Sequence, residues 1–61
     1  MPISGKEMLA IYKRNGWLLL RQTGSHMIVG KNNERETIPN HKELSKGLEI
    51  KLRKRLEDGG K

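Results

Sequence analysis

The chain has 61 residues and no cysteine, so one small apolar core has to hold the fold together. A chain of this size buries only about 60% of the surface that its unfolded form exposes. Without cysteine it cannot use disulfides or thiolate-bound metal. Its two histidines are too few for a closed zinc site without carboxylate ligands. We therefore expect a single domain over residues 1–61 that carries no metal and no cofactor.

The hydropathy pattern argues against a membrane protein. Apolar stretches such as Trp17–Leu20 are far shorter than the about 20 residues that a membrane-spanning helix needs. The opening residues 1–12 also lack the pattern of a secretory signal peptide. We expect a soluble, cytoplasmic protein that does not associate with membranes.

The balance of charged side chains favours a polyanionic partner. Thirteen lysines and arginines against seven acidic residues give a net charge of +6. Small basic domains often bind nucleic acid, because each phosphate that they neutralise releases counterions. The alternative is a surface whose charge serves only solubility.

Turn residues divide the chain into five short elements. The capping-box pattern Ser4-Gly5-Lys6-Glu7 begins a helix, and Asn15-Gly16 ends it. Three strands are predicted next, with a turn at Thr23-Gly24 and another within Lys31–Glu34. These strands cover Trp17–Gln22, Ser25–Lys31 and Arg35–Ile38, and Pro39 ends the last of them because proline cannot donate to the ladder.

The last element is a helix with a narrow apolar stripe. Ser45 is its predicted N-cap, and leucines recur every four residues at positions 48, 52 and 56. Ile50 falls off this stripe and is predicted to be exposed, where it could contact another protein. Gly59-Gly60 is predicted to end the helix, with Lys61 frayed.

The order of elements, α-β-β-β-α, predicts a two-layer α+β sandwich. Short connections between the strands favour an antiparallel meander of three strands. Two amphipathic helices need an apolar surface, and one face of this sheet is the surface available. We expect both helices on that face and the other face open to solvent.

His26 is the candidate catalytic residue. Because side chains alternate along a strand, His26 lies on the face opposite to Met27 and Val29 and is accessible if that pair forms the core. An imidazole can exchange protons near neutral pH, and RNA carries its own nucleophile, the 2′-hydroxyl. A general base and cations that hold the phosphate are therefore sufficient for cleavage without a metal. The alternative is that His26 is an ordinary turn or surface residue.

Basic side chains are candidates for the phosphate contacts. Arg21 is the nearest by topology, because its strand pairs with the strand of His26. Further candidates are Lys31, Arg35 and Lys46. His41 is either a second acid/base or phosphate donor, or a structural residue that caps the second helix or bonds a loop carbonyl.

Four short motifs follow one another along nearly the whole chain. They are Asn15-Gly16-Trp17, Arg21-Gln22-Thr23-Gly24-Ser25-His26, Ile38-Pro39-Asn40-His41 and Glu43-Leu44-Ser45-Lys46-Gly47-Leu48. Each motif is short, but their order and spacing in so small a chain form a fairly specific combination. In this combination the chain resembles the HicA (YcfA-like) family of small bacterial mRNA-cleaving toxins.

The resemblance implies a double-stranded-RNA-binding-domain-like fold and an endoribonuclease that arrests translation by cleaving mRNA. It implies catalysis by His26, a further role for His41, and a turn of Gly24 and Ser25 that presents His26. It also implies a cognate HicB-type antitoxin that covers the histidine. The predicted RNA-binding set is Arg21, Ser25, Lys31, Arg35, His41 and Lys46. The alternatives are a non-catalytic RNA-binding module of the same fold and a protein-interaction domain whose charge is incidental.

Overall fold

A computed structural model describes residues 2–59 and contains two helices and three strands in the predicted order. The elements are α1 (Gly5–Arg14), β1 (Leu18–Thr23), β2 (His26–Lys31), β3 (Glu34–Pro39) and α2 (Lys46–Gly59). The strands form an antiparallel sheet in the order β1-β2-β3. The predicted α+β class and topology are confirmed. Helix α2 extends to Gly59, the first residue of the predicted Gly59-Gly60 end, and Gly60 and the predicted frayed Lys61 lie outside the described residues.

Helix α1 begins with the predicted capping box. The Glu7 amide donates to Ser4 Oγ at 3.1 Å, and the Ser4 amide donates to Glu7 Oε1 at 3.0 Å. Hydrogen bonds from the Ser4 amide and then the Ser4 hydroxyl lower the pKa of Glu7. The capping box thus satisfies the Ser4 and Glu7 amides, two backbone donors that have no partner within the helix.

The turns of the sheet are two residues long. Thr23 pairs with His26, so the first turn consists of Gly24 and Ser25, one residue later than predicted. Gly24 has φ 54°, in the left-handed region that glycine adopts without steric cost. Asn32 has φ 55° at the same position of the second turn, because asparagine tolerates this region.

Every strand boundary except the end of β2 differs from the prediction by one residue, and two of these shifts involve Trp17 and Pro39. β1 begins at Leu18, because Trp17 instead packs into the core with its ring centroid 5.0 Å from that of Tyr12. Pro39 is the last residue of β3 rather than the residue after it, and it pairs with His26. A proline is compatible with this position at the end of an edge strand.

The core lies between the helices and one face of the sheet. Met27 and Val29 of β2 are buried in it, as the alternation of side chains predicts, and Leu52 is the buried member of the leucine stripe of α2. The remaining buried members are Met8, Tyr12, Trp17, Ile38 and Leu44. The Tyr12 hydroxyl donates to the Leu52 carbonyl at 2.8 Å and so joins α1 to α2 across the core.

Strand β1 contains an irregularity that decides which side chains share a face. Leu19 pairs with Val29, but the next pair is Arg21 with Ile28, so Leu20 is an extra residue in β1. Residues directly opposite each other in an antiparallel pair lie on the same face. Regular pairing would place Arg21 on the same face as Leu19, towards the helices. The bulge places Arg21 on the opposite face instead.

Candidate functional site

His26 is exposed at the start of β2, on the sheet face that the helices do not cover. This face, called the open face below, carries the residues that pair with His26, Ile28 and Gly30. The partners of His26 are Thr23 on β1 and Pro39 on β3. Its imidazole is therefore accessible to a ligand that lies on the open face near the Gly24-Ser25 turn.

Arg21 lies on the same face as His26 because of the bulge in β1. It pairs with Ile28, two residues along β2 from His26, so the two side chains are diagonal neighbours. Diagonal neighbours in an antiparallel sheet typically lie about 7–8 Å apart, which long side chains can span. Arg21 is also exposed. The sequence predicted that Arg21 lies on the strand paired with that of His26, and the bulge places it on the open face.

Arg35 is the second arginine on the open face. It pairs with Gly30, and its Nη1 donates to the carbonyls of Glu34 at 2.9 Å and Asn32 at 3.3 Å. These bonds hold the guanidinium near the β2–β3 turn. A Cβ at Gly30 would lie 3.0 Å from Arg35 Nη1 and 2.7 Å from Leu20 Cδ1, so both side chains lie over this glycine.

The open face carries no carboxylate among the residues of the three strands. The acidic residues of the strands, Glu34 and Glu36, pair with Lys31 and Val29 and so belong to the helix side. There Arg55 of α2 contacts both, with Nη2 2.8 Å from Glu34 Oε1 and Nε 3.6 Å from Glu36 Oε2. Charge is thus segregated: the negative side chains of the sheet are paired on one side, and His26, Arg21 and Arg35 lie on the other.

His41 lies just beyond β3, two residues after the strand partner of His26. The Asn40 amide donates to the Ser25 carbonyl at 2.6 Å, which ties this segment to the turn before His26. The His41 carbonyl accepts from the Gly5 amide at 2.8 Å. His41 also lines a cleft of about 330 Å³, together with Ser4, Lys6, Asn40 and Lys42.

Lys6 and Lys42 in this cleft were not among the predicted site residues. Lys42 adjoins His41 in the sequence, but Lys6 comes from α1 and reaches the cleft only through the fold. Local patterns therefore gave no signal for Lys6. The cleft forms because the start of α1 packs against the end of β3.

Two of the predicted RNA-binding residues lie away from the open face. Lys31 is on the helix side, where its Nζ donates to the Asn15 carbonyl at 2.8 Å and satisfies the C-terminal end of α1. Lys46 is exposed in the first turn of α2 and lines a separate cleft with Leu44 and Glu49. The structure thus places Arg21 diagonal to His26, with Ser25 in the turn before the histidine and His41 just beyond the strand partner of His26. Arg35 shares the open face, but it lies four residues along β2 from His26, near the β2–β3 turn.

Within residues 2–59, no group of three or more acidic or histidine side chains is placed to hold a metal ion. Neither of the two helices described there is long and apolar enough to cross a membrane.

These features define a small basic α+β domain of the α-β-β-β-α type, with an exposed histidine on the open face of its sheet. The family model described as the HicA toxin of bacterial toxin–antitoxin systems matches residues 5–57. The chain belongs to this family, as its motifs predicted, and is a toxin for which the family implies a cognate antitoxin. Searches among curated proteins and among solved structures gave no significant match.

Proposed function

We propose that this toxin is a metal-independent endoribonuclease that cleaves mRNA, with His26 as the general acid/base. One observation carries the proposal: an exposed imidazole lies on a sheet face where the described strand residues include two arginines and no carboxylate. A polyanion approaching this face meets positive charge and no opposing side-chain charge from the strands.

The proposed reaction uses the nucleophile that RNA itself supplies. His26 removes the proton from a ribose 2′-hydroxyl, and the 2′-oxygen attacks the adjacent phosphorus. The bond from phosphorus to the 5′-oxygen breaks, and that oxygen takes up a proton. The products are a 2′,3′-cyclic phosphate and a 5′-hydroxyl, so no metal-bound water is needed as a nucleophile.

The arginines of the open face have the role of stabilising the transition state. Negative charge grows on the phosphoryl oxygens as the 2′-oxygen attacks, and positioned cationic donors lower the energy of that state. Arg21, diagonal to His26, is the proposed direct contact. Arg35 and the cleft of Lys6, His41 and Lys42 are proposed to hold neighbouring phosphates of the strand.

The decisive experiment compares wild-type toxin with His26→Ala. The side chain is exposed, so the variant is expected to fold with an unchanged circular dichroism spectrum and melting curve. Expression of the wild type is expected to arrest growth and to cut mRNA, and His26→Ala is expected to do neither. The purified wild type is expected to leave 2′,3′-cyclic phosphate ends in the presence of EDTA. Growth arrest and cleavage that persist in His26→Ala would exclude the proposed role.

The second candidate function is RNA binding without catalysis, and the basic open face favours it equally. Under this alternative the domain would recognise phosphates and the shape of RNA. Binding of a labelled RNA to His26→Ala distinguishes the two functions. Retained binding with lost cleavage supports the enzyme, whereas wild-type protein that binds RNA but never shortens it supports the binding module.

A further inference from the structure

Three consecutive leucines are exposed on β1, whereas eight apolar residues are buried in the core among residues 2–59. Leu18 is 67% exposed, Leu19 36% and Leu20 48%. We call these three residues the leucine edge. The sequence predicts Ile50 as the exposed apolar side chain, and Ile50 is indeed 55% exposed, but it stands alone on α2. Leu18 and Leu20 lie over Gly30 on the open face, whereas Leu19, which pairs with Val29, lies on the helix side of the same strand. Isolated exposed apolar residues are ordinary, whereas neighbouring ones such as Leu18 and Leu20 mark an interaction surface.

The leucine edge lies on a strand with one free side. β1 is an outer strand of the sheet and pairs only with β2 within the described residues. Such an edge is prone to association unless charge, proline or another chain protects it. All six residues of β1 are exposed, and only Arg21 among them is charged. The edge is thus poorly protected in the free toxin.

The surrounding charge selects the kind of partner. Leu18 lies on the open face, since it pairs with Gly30, and Leu20 lies over the same glycine beside Arg35. Arg21 follows directly in the chain. A second copy of the toxin would bring the same arginines against these two, and like charges across an interface are unfavourable. A partner that suits this surface carries apolar side chains flanked by carboxylates.

We infer that the leucine edge is the primary docking surface for the cognate antitoxin, with Arg21 and Arg35 meeting acidic side chains of the partner. Because Arg21 is diagonal to His26, an antitoxin seated on the edge also occupies the approach to the proposed site. Apolar contact with β1 then supplies the affinity of the complex. The antitoxin blocks RNA from the open face because it is bound next to His26. The inference rests on membership of the toxin–antitoxin family and does not require nuclease activity.

The test measures binding of the cognate antitoxin that the family implies, purified and titrated into labelled toxin. All toxin variants carry His26→Ala so that binding is scored without any effect of cleavage. Leu18→Ser and Leu20→Ser are each expected to weaken the complex by about tenfold or more, since each removes a large apolar contact. Ile50→Ser is the matched control, an exposed apolar residue of similar accessibility on the other layer, and is expected to bind as the parent does.

Three results would overturn the inference. One is antitoxin binding that Leu18→Ser and Leu20→Ser leave unchanged. Another is an equal loss of binding in Ile50→Ser. The third is sedimentation of the free toxin as a dimer that Leu18→Ser dissociates, which would assign the edge to self-association. Circular dichroism verifies folding, and Leu18→Ser is the safer variant because Leu18 is the most exposed of the three. Each of these three results would overturn the docking inference alone. The nuclease proposal would be unaffected, because cleavage is measured separately in toxin with His26 intact.

Discussion

At the scale of single residues, the proposed chemistry depends on which face of the sheet a side chain occupies. Arg21 and Lys31 are both cationic and both lie on strands, yet they lie on opposite faces. Arg21 is exposed beside the histidine, and Lys31 is bonded to the end of α1. Two cationic side chains thus differ in position: Arg21 lies in the candidate site, and Lys31 has a structural contact.

Replacing Arg21 with alanine is expected to lower the rate of RNA cleavage by about tenfold to a hundredfold, because one positioned donor to the phosphate is lost. Lys13→Ala is the control, since Lys13 is also exposed but belongs to the last turn of α1. Single-turnover cleavage of one RNA by both variants measures the difference. Equal rates for the two variants would remove Arg21 from the site.

Tyr12 gives the protein a dependence of stability on alkaline pH. Burial, together with nearby Glu36, raises the pKa of Tyr12 from the usual 10.0 to about 12. The folded protein therefore holds the neutral phenol, and its contribution to stability is intact below the unfolded pKa. That contribution is lost as the pH rises from 10.0 towards about 12. Over this range Tyr12 ionises in the unfolded chain but stays neutral in the folded protein, which favours unfolding.

Tyr12→Phe is expected to flatten the fall in unfolding free energy over this alkaline range. At neutral pH the variant is expected to be less stable by about 1 kcal/mol, because the bond to the Leu52 carbonyl is lost. Urea denaturation of both proteins at several pH values checks both effects. An identical alkaline slope in the two proteins would contradict the assigned cause.

At the scale of elements, the docking of α1 on the end of β3 forms the cleft that holds His41. Gly5 is buried there, and a Cβ at this position would collide with the backbone carbonyl of Pro39. The Gly5 amide also donates to the His41 carbonyl. The close approach of the two backbones therefore requires a residue without a side chain.

Gly5→Ala is expected to destabilise the fold by roughly 1–3 kcal/mol, because backbone atoms must move to admit the methyl group. Gly47→Ala makes the same chemical change within α2, where a Cβ would meet nothing within 4 Å. It is expected to stabilise by about 0.5–1 kcal/mol, since alanine favours the helix. Thermal or urea unfolding of the two variants should give opposite signs, and two changes of the same sign would refute this packing account.

At the scale of the whole molecule, the net charge of +6 is distributed over both layers, but the sheet separates its signs. Glu34 and Glu36 are held on the helix side by Arg55. The field over the open face is therefore more positive than the composition of the strands alone suggests. This arrangement links the fold to the proposed binding of RNA.

Binding of single-stranded RNA to His26→Ala is expected to weaken steeply with salt. If about four phosphates are contacted, the affinity should fall by roughly 50-fold between about 50 mM and about 200 mM salt. Fluorescence anisotropy with one labelled RNA over this range measures the slope. An affinity that does not change with salt would argue against phosphate contacts and in favour of a protein-interaction domain.

Local signals in the sequence determined the order of elements, the capping box at Ser4, the cap at Ser45 and the exposure of His26. These signals act over a few residues, because hydrogen-bonding caps, turn glycines and the alternation of side chains are properties of short segments. They were sufficient for the fold class, for the family and for the core pair Met27 and Val29. Boundaries shifted by a residue at Trp17 and Pro39, where packing and cross-strand pairing decide.

Only the tertiary structure decided which cations accompany His26 and where the exposed leucines lie. One extra residue in β1 turns Arg21 towards the open face, and the pairing of β2 with β3 turns Lys31 away from it. Lys6 reaches the cleft from a distant part of the chain. The register of a sheet depends on contacts between strands, and a shift of one residue exchanges its two faces. No short segment of the sequence contains that information.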